Sequence, residues 1–341
     1  MLLCNLSAVN DSDPPPISIR NVGPCVLLSL AFMIGAPGNI LVMWSIYKKL
    51  KNVSATVLLI GNLALADFLV LLPLPIWVYT FAVNKWVFGL VFCKILVYVI
   101  YTSLYVSVFL ITLLSIDRFL AVFRPLDLQR WSRQRIFRKL AMFIWMIAAL
   151  LGIHSLPFYN PKQSKEPFQC ILHEYSSDTQ KVIFLLLETL VGFLVPLCII
   201  IFCYTYLWRK LRQMKFVSKR KSDKIIILVV ASYVICWIPL HVFNIVDIIS
   251  VFHGTCSLVG IVDVGSNISG ALVFLNSCLN PILYFYLSFR IKRPTMIKRL
   301  DKLFENIGEM ETEEKPCENN GDTTISAPTN SAVVSSDPQM A

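Results

Sequence analysis

The chain has 341 residues, of which 56% are hydrophobic and 15% charged, and its mean hydropathy is +0.66. Soluble domains are about half apolar and about a quarter charged, so a water-exposed fold of this composition would carry large apolar patches; lipid is the solvent it suits. The net charge of +10 lies in basic segments between apolar stretches, which points to membrane topology and away from nucleic-acid binding.

In chain order, residues 1–23 form a polar tail with two glycosylation sequons, at Asn5 and Asn10. The tail holds prolines and acids rather than an apolar core, so the first span is expected to act as the signal anchor. Seven stretches then reach the roughly twenty apolar residues that a membrane-crossing helix needs: 24–46, 55–81, 93–122, 137–158, 180–208, 224–251 and 258–286. The third, with Tyr98, Tyr101, Thr102, Ser103 and Tyr105, is expected in the middle of the bundle. The seventh, with Asp263, Ser266, Asn267, Asn276 and Asn280, must face protein or a wet cavity. Residues 289–304 read as an amphipathic helix on the membrane surface, and 305–341 as a disordered tail. The fold class is therefore an all-α membrane protein, a seven-helix transmembrane bundle over residues 24–288.

Orientation follows the basic residues. Twenty-three Lys and Arg fall in the loops and segment on one side, among them Lys48, Arg124, Arg133, Lys219 and Arg299, against six on the other. The first side is cytoplasmic, which places the N-terminus outside and the C-terminus inside. Ten cysteines without a CxxC pair, and four histidines without metal-like spacing, argue against a zinc site, a redox motif or a membrane enzyme. Seven unequal spans without an internal repeat count against a channel or transporter.

Polar residues within the spans need partners. Asn39, Asp67, Ser107, Asn276, Ser277 and Asn280 are either hydrogen-bond glue between helices or a sodium- or proton-sensing site that biases two packings. Asp117-Arg118 ends the third span, where the arginine either snorkels or switches. Pro239 follows Trp237-Ile238 in the sixth span, and Pro281 follows Asn280 in the seventh. Each removes a helix hydrogen bond and is expected to kink its span.

Taken in order, one set per span, these residues resemble the rhodopsin-like (class A) G-protein-coupled receptors. The set is Gly38-Asn39, Leu63-Ala-Leu-Ala-Asp67, Asp117-Arg118-Phe119, Trp145, Pro196 with Tyr204, Cys236-Trp237-Ile-Pro239, and Asn280-Pro281-Ile-Leu-Tyr284. The resemblance implies a plasma-membrane receptor, not an enzyme, that drives nucleotide exchange on a heterotrimeric G protein. It implies that Asp117, Arg118, Tyr204, Trp237, Pro239, Asn280, Pro281 and Tyr284 carry activation and coupling. Asp67, Ser107, Trp237, Asn276, Ser277 and Asn280 would form an allosteric sodium pocket, with no other metal and no cofactor. Cys93 would bridge to Cys170, and Cys4 and Cys256 could form a second bridge. Arrestin and receptor kinases would act on the Ser- and Thr-bearing tail.

A narrower likeness, to the leukotriene B4 receptors, is carried by Asn62-Leu-Ala-Leu-Ala-Asp67, Tyr105-Val-Ser107, Leu187-Glu-Thr-Leu190 and Trp237-Ile-Pro-Leu-His241-Val-Phe-Asn244. It implies an amphipathic, oxidised fatty acid as ligand, leukotriene B4 first, with inhibitory G proteins and chemotaxis downstream. Ile100 stands where amine receptors place an aspartate, and no lysine lies near Phe274 to hold retinal. The ligand residues read this way are Tyr101, Tyr105, Glu188, His241, Asn244, Ser266 and Asn267, with Glu188 and His241 either facing each other or merely capping or bridging helices. Val97 and Ser266 stand where those receptors carry basic or imidazole groups. That leaves Lys94, His154, Lys162, Lys165 and His173 as candidates for a carboxylate, and a chemoattractant peptide as the alternative ligand.

Overall fold

The computed structural model describes residues 19–48, 53–83, 85–123, 133–158, 170, 175, 177–213, 221–254, 259–288, 291 and 293–312. Inside a bilayer every backbone N–H and C=O must find a partner within the protein, and a helix supplies them all. Among the described residues the chain is accordingly helical: α1 (Ile19–Tyr47), α2 (Ala55–Leu71), α3 (Leu74–Val83), α4 (Gly89–Phe123), α5 (Arg133–Gly152), α6 (Asp178–Thr189), α7 (Val195–Gln213), α8 (Lys221–His253), α9 (Val259–Ser288) and α10 (Met296–Thr312). Seven stretches of these are long and apolar enough to cross a membrane, from Val22–Tyr47 to Val264–Ser288. They lie close to the stretches read from the sequence.

Three boundaries differ from expectation, each for a local reason. The second span is two helices, because Pro73 has no N–H to continue α2 and the chain turns at Leu72–Pro73 before α3. The fifth span passes from α6 to α7 through a π turn, Leu190–Leu194. The surface helix starts at Met296 rather than 289 and runs to Thr312, into the stretch read as tail. Pro294 biases the residue before it away from helical backbone. Thr295 then caps the new start, its Oγ1 accepting from Lys298 N at 3.4 Å.

The third span is the hub: 72% of its apolar window is buried, against 22% for the fourth. Its inner face, with Val106, Leu110, Ile111 and Leu114, joins Leu59, Ile60 and Leu63 of α2 and Tyr233 of α8 in one core. Outward-facing Met33, Leu150, Ile235 and Phe252 remain exposed for lipid. Spans approach most closely where a side chain is missing. A Cβ on Gly38 would lie 2.9 Å from the Pro281 ring, and one on Gly152 would run into Thr102. Cys93 and Cys170 are bridged, with Cα atoms 5.7 Å apart, which fixes one end of α4 to the loop before α6. Asp117 and Arg118 lie toward the other end of α4.

Candidate functional site

Two of the spans' prolines explain their neighbours' polar side chains. Pro281 cannot donate to the Ser277 carbonyl one turn back, and Asn39 Nδ2 donates to that carbonyl at 3.0 Å, as well as to Gly35 O at 3.0 Å. Pro196 likewise cannot serve the Gly192 carbonyl, which accepts from the Tyr233 hydroxyl at 3.3 Å. Both freed carbonyls thus take a donor from another span.

At mid-bundle the Asp67 carboxylate is fully buried. Ser107 donates to its Oδ1 at 3.1 Å and Asn280 Nδ2 to its Oδ2 at 2.7 Å. Ser277 stands beside the same carboxylate. The amide oxygens of Asn39, Asn276 and Asn280 are buried with no hydrogen-bond donor against them. Carboxylate and amide oxygens are the ligands that hard cations take, so Asp67, Ser107 and Asn280 are the residues here that could hold one. Among the described residues no group of three His, Cys, Asp or Glu gathers.

Toward the end of α4 away from the disulfide, Asp117 is buried and gathers three partners. Thr56 donates to its Oδ2 at 2.9 Å, Arg118 Nη2 stands 3.5 Å from the same oxygen, and Arg133 Nη2 lies 2.6 Å from Oδ1. Arg118 also donates to the Thr56 hydroxyl oxygen. Tyr284 is buried with its hydroxyl unpartnered, 6.1 Å from the Phe304 ring of α10. Leu300, Leu303, Phe304 and Ile307 turn one apolar face of α10 into the core, and Ser45 of α1 donates to Asp301.

Nearer the disulfide end, the fifth and sixth spans share a polar knot. Asn244 Nδ2 donates to Glu188 Oε2 at 2.9 Å, and its contact with Thr189 Oγ1 is 3.5 Å. His241 Nδ1 meets Thr189 Oγ1 at 3.2 Å, so Glu188 and His241 each bridge the two spans rather than pairing with each other. The π turn adds one residue to α6–α7 and so carries Thr189 and Phe193 onto the face toward His241. The His241 ring lies stacked between Phe193 (4.6 Å) and Trp237 (5.7 Å). Its Nε2, the Tyr105 hydroxyl and the Trp237 Nε1 are buried without partners. Tyr101 and Tyr105 both pack on His154, whose ring stacks on Phe184. Beyond His154 a crevice of about 470 Å³ opens between the fourth and fifth spans, lined also by Ser177, Gln180, Ile183 and Leu187.

Contacts thus gather Glu188, His241 and Asn244 around Thr189, and Tyr101 and Tyr105 around His154, while Ser266 is half-buried on α9. The side chain of Asn267 lies outside the described residues, as do Asn5, Asn10, Cys4, Cys256, Lys162, Lys165, His173 and the tail from residue 313. Pro239 and Pro281 both sit inside unbroken helices. Thr189, Thr56, Phe193 and Arg133 are site neighbours that the sequence reading did not assign. Thr189 follows Glu188 directly, and the requirement that a buried histidine find a partner could have pointed to it.

Known proteins share the sequence pattern of this chain. The sequence pattern of the rhodopsin family of seven-transmembrane receptors matches residues 38–284. Human leukotriene B4 receptor 1 is 31% identical over 309 residues, covering 89% of this chain and 88% of the receptor. The rat leukotriene B4 receptor 1 is 33% identical over 305 residues, covering 89% and 86%. The human type-1 angiotensin II receptor is 35% identical over 280 residues, covering 78% and 77%.

Proposed function

Because the chain belongs to the rhodopsin family of seven-transmembrane receptors, we propose that it is a plasma-membrane receptor for an oxidised fatty acid, leukotriene B4 first. It signals through an inhibitory G protein in chemotaxis, with its N-terminus outside and glycosylated at Asn5 and Asn10. The observation that carries this reading is the polar knot of Glu188, Thr189, His241 and Asn244 set in an aromatic wall, beside the unpartnered Tyr105 hydroxyl and His241 Nε2. A hydroxylated acyl chain supplies both apolar surface for the wall and hydroxyls for those groups. A site built to bond a hydroxyl discriminates strongly against a chain without one. Leukotriene B4 is also what two of the similar receptors are named for. With Val97 buried and Ser266 uncharged, the acid end falls to the mouth, where His154 lines the crevice.

In this mechanism the agonist reaches His241, and the stacked Trp237 and the span around Pro239 shift with it. Arg118 then meets the C-terminal helix of the G-protein α subunit, and Tyr204 and Tyr284 support the rearranged ends. Asp67, Ser107 and Asn280 would hold a sodium ion, which would favour whichever packing binds it better. Receptor kinases and arrestin act on the tail.

The test is leukotriene B4-stimulated G-protein activation in cells expressing the chain, with and without pertussis toxin. A nanomolar, toxin-sensitive response is expected. Silence at normal surface expression overturns leukotriene B4 as the ligand and moves the reading to other oxidised fatty acids or to chemotactic peptides. The likeness to an angiotensin II receptor favours a peptide as second reading, so angiotensin II and chemoattractant peptides belong in the same assay.

A further inference from the structure

Asp117 has one short ionic contact, and it is not to its neighbour in sequence. Arg133, at the start of α5, places Nη2 at 2.6 Å and Nε at 3.2 Å from Asp117 Oδ1. Arg118 stands off at 3.5 Å from Oδ2 and reaches that oxygen mainly through Thr56, whose oxygen accepts from Arg118 while its hydrogen goes to Asp117. The Arg133 side chain is 13% exposed and that of Asp117 fully buried. The guanidinium also lies 5.9 Å from the ring of Phe137, one turn along α5. The contact is thus desolvated and held from two sides. Charge-assisted bonds of this length are the strong ones, so the negative charge of Asp117 is mostly spent on Arg133.

We infer that Arg133 is a positioning residue for G-protein exchange: by occupying Asp117 it weakens the Asp117–Arg118 pair and so sets the receptor's basal activity. The inference rests on the reading of Arg118 as the arginine that meets the G protein. Two cations compete for one buried carboxylate. Removing the nearer one hands Asp117 to the farther one and deepens the inactive state.

The experiment uses the full chain in lipid nanodiscs with purified inhibitory G protein, and reads nucleotide exchange without agonist per mole of folded receptor. Relative to wild type, Arg133→Gln is expected to lower basal exchange about threefold or more, the range in which a single contact shifts such a balance. Arg133→Lys, which keeps the charge, recovers part of it. In an Asp117→Asn background there is no carboxylate to compete for, and Arg133→Gln changes nothing further. A merely structural role for Arg133 would lower exchange in both backgrounds. Unchanged or raised exchange in Arg133→Gln overturns the inference, and so does a wild-type rate no higher than that of empty discs. Arg118→Ala separates the two claims: if it leaves exchange intact, the reading of Arg118 falls. If it abolishes exchange while Arg133→Gln is neutral, only the role of Arg133 falls.

Discussion

Replacing Gly38 by alanine tests how the first and seventh spans are held. A Cβ at this position would lie 2.9 Å from both Cβ and Cγ of Pro281. Carbon atoms settle at about 3.5–4.0 Å, so roughly 0.6–1 Å must be found by moving a rigid ring or a whole helix. Overpacking of this kind costs about 1–3 kcal/mol, and alanine's better helix propensity returns about 1 kcal/mol. Gly270→Ala isolates that gain, because a Cβ there meets nothing within 4 Å. Cys203, Cys236 and Cys278 are free and buried, so a thiol-reactive dye reports unfolding in detergent. Gly38→Ala is expected to melt below Gly270→Ala by roughly 3 °C for each kcal/mol of clash, and Gly38→Val lower still. Equal melting of Gly38→Ala and Gly270→Ala would refute the packing argument. The clash also bears on function: Asn39 holds the Ser277 carbonyl and Asn280 holds Asp67, so a displaced Pro281 loosens both bonds.

Asp67→Asn is expected to abolish the effect of sodium on agonist affinity, checked by binding in sodium chloride against a bulky organic chloride at equal ionic strength. Retained sensitivity would place the ion elsewhere. Asn244→Ala removes the donor of a bond to a carboxylate, worth about 1.5–3 kcal/mol, and Glu188→Gln keeps an acceptor but removes its charge. If ligand strengthens that knot, leukotriene B4 potency falls about tenfold or more at normal surface expression, and an unchanged dose–response curve argues against its use. Cys170→Ser opens a bridge between residues 77 apart in sequence. Losses on removing such a bond are about 2–5 kcal/mol, so surface expression measured by antibody should fall sharply, and full expression would show that packing alone holds that end.

What was legible in the sequence was whatever depends on solvent. Lipid demands length, apolarity and internal backbone bonding, so the seven spans emerge directly. Asp67, Ser107 and Asn280 were found because a polar group in lipid must have a partner, and the structure supplies each one. Where the reading erred, the cause was local geometry that composition does not encode. The π turn at Leu190–Leu194 rotates Thr189 toward His241, and a helical wheel of the fifth span could not show it. Arg133 was counted only as topology charge, because a basic residue at a span end is ordinarily solvated. That it reaches back to Asp117 depends on how α5 leans on α4. The start of α10 was misplaced by seven residues, although Pro294 was there to be used.

The prolines tie these observations together. Asn39 and Tyr233 lie on different spans, yet both donate to a carbonyl that a proline has left without its helical partner. A broken rung inside lipid is costly to leave open, and at Pro281 and Pro196 the span depends on a neighbour to close it. Such a bond joins side chain to backbone and can be exchanged for another donor as the spans slide, whereas a regular helical bond would have to break. The two dependences fall where the proposed mechanism needs movement. One lies between the first and seventh spans, next to the Asp67 site. The other lies between the fifth and sixth, one turn from Trp237 and beside the ring stack of Phe193 and His241. The buried polar residues of this bundle are therefore neither pure glue nor pure function. They hold the helices together at the points where the backbone is weakest, and a ligand that competes for one of them acts on the packing of two spans at once.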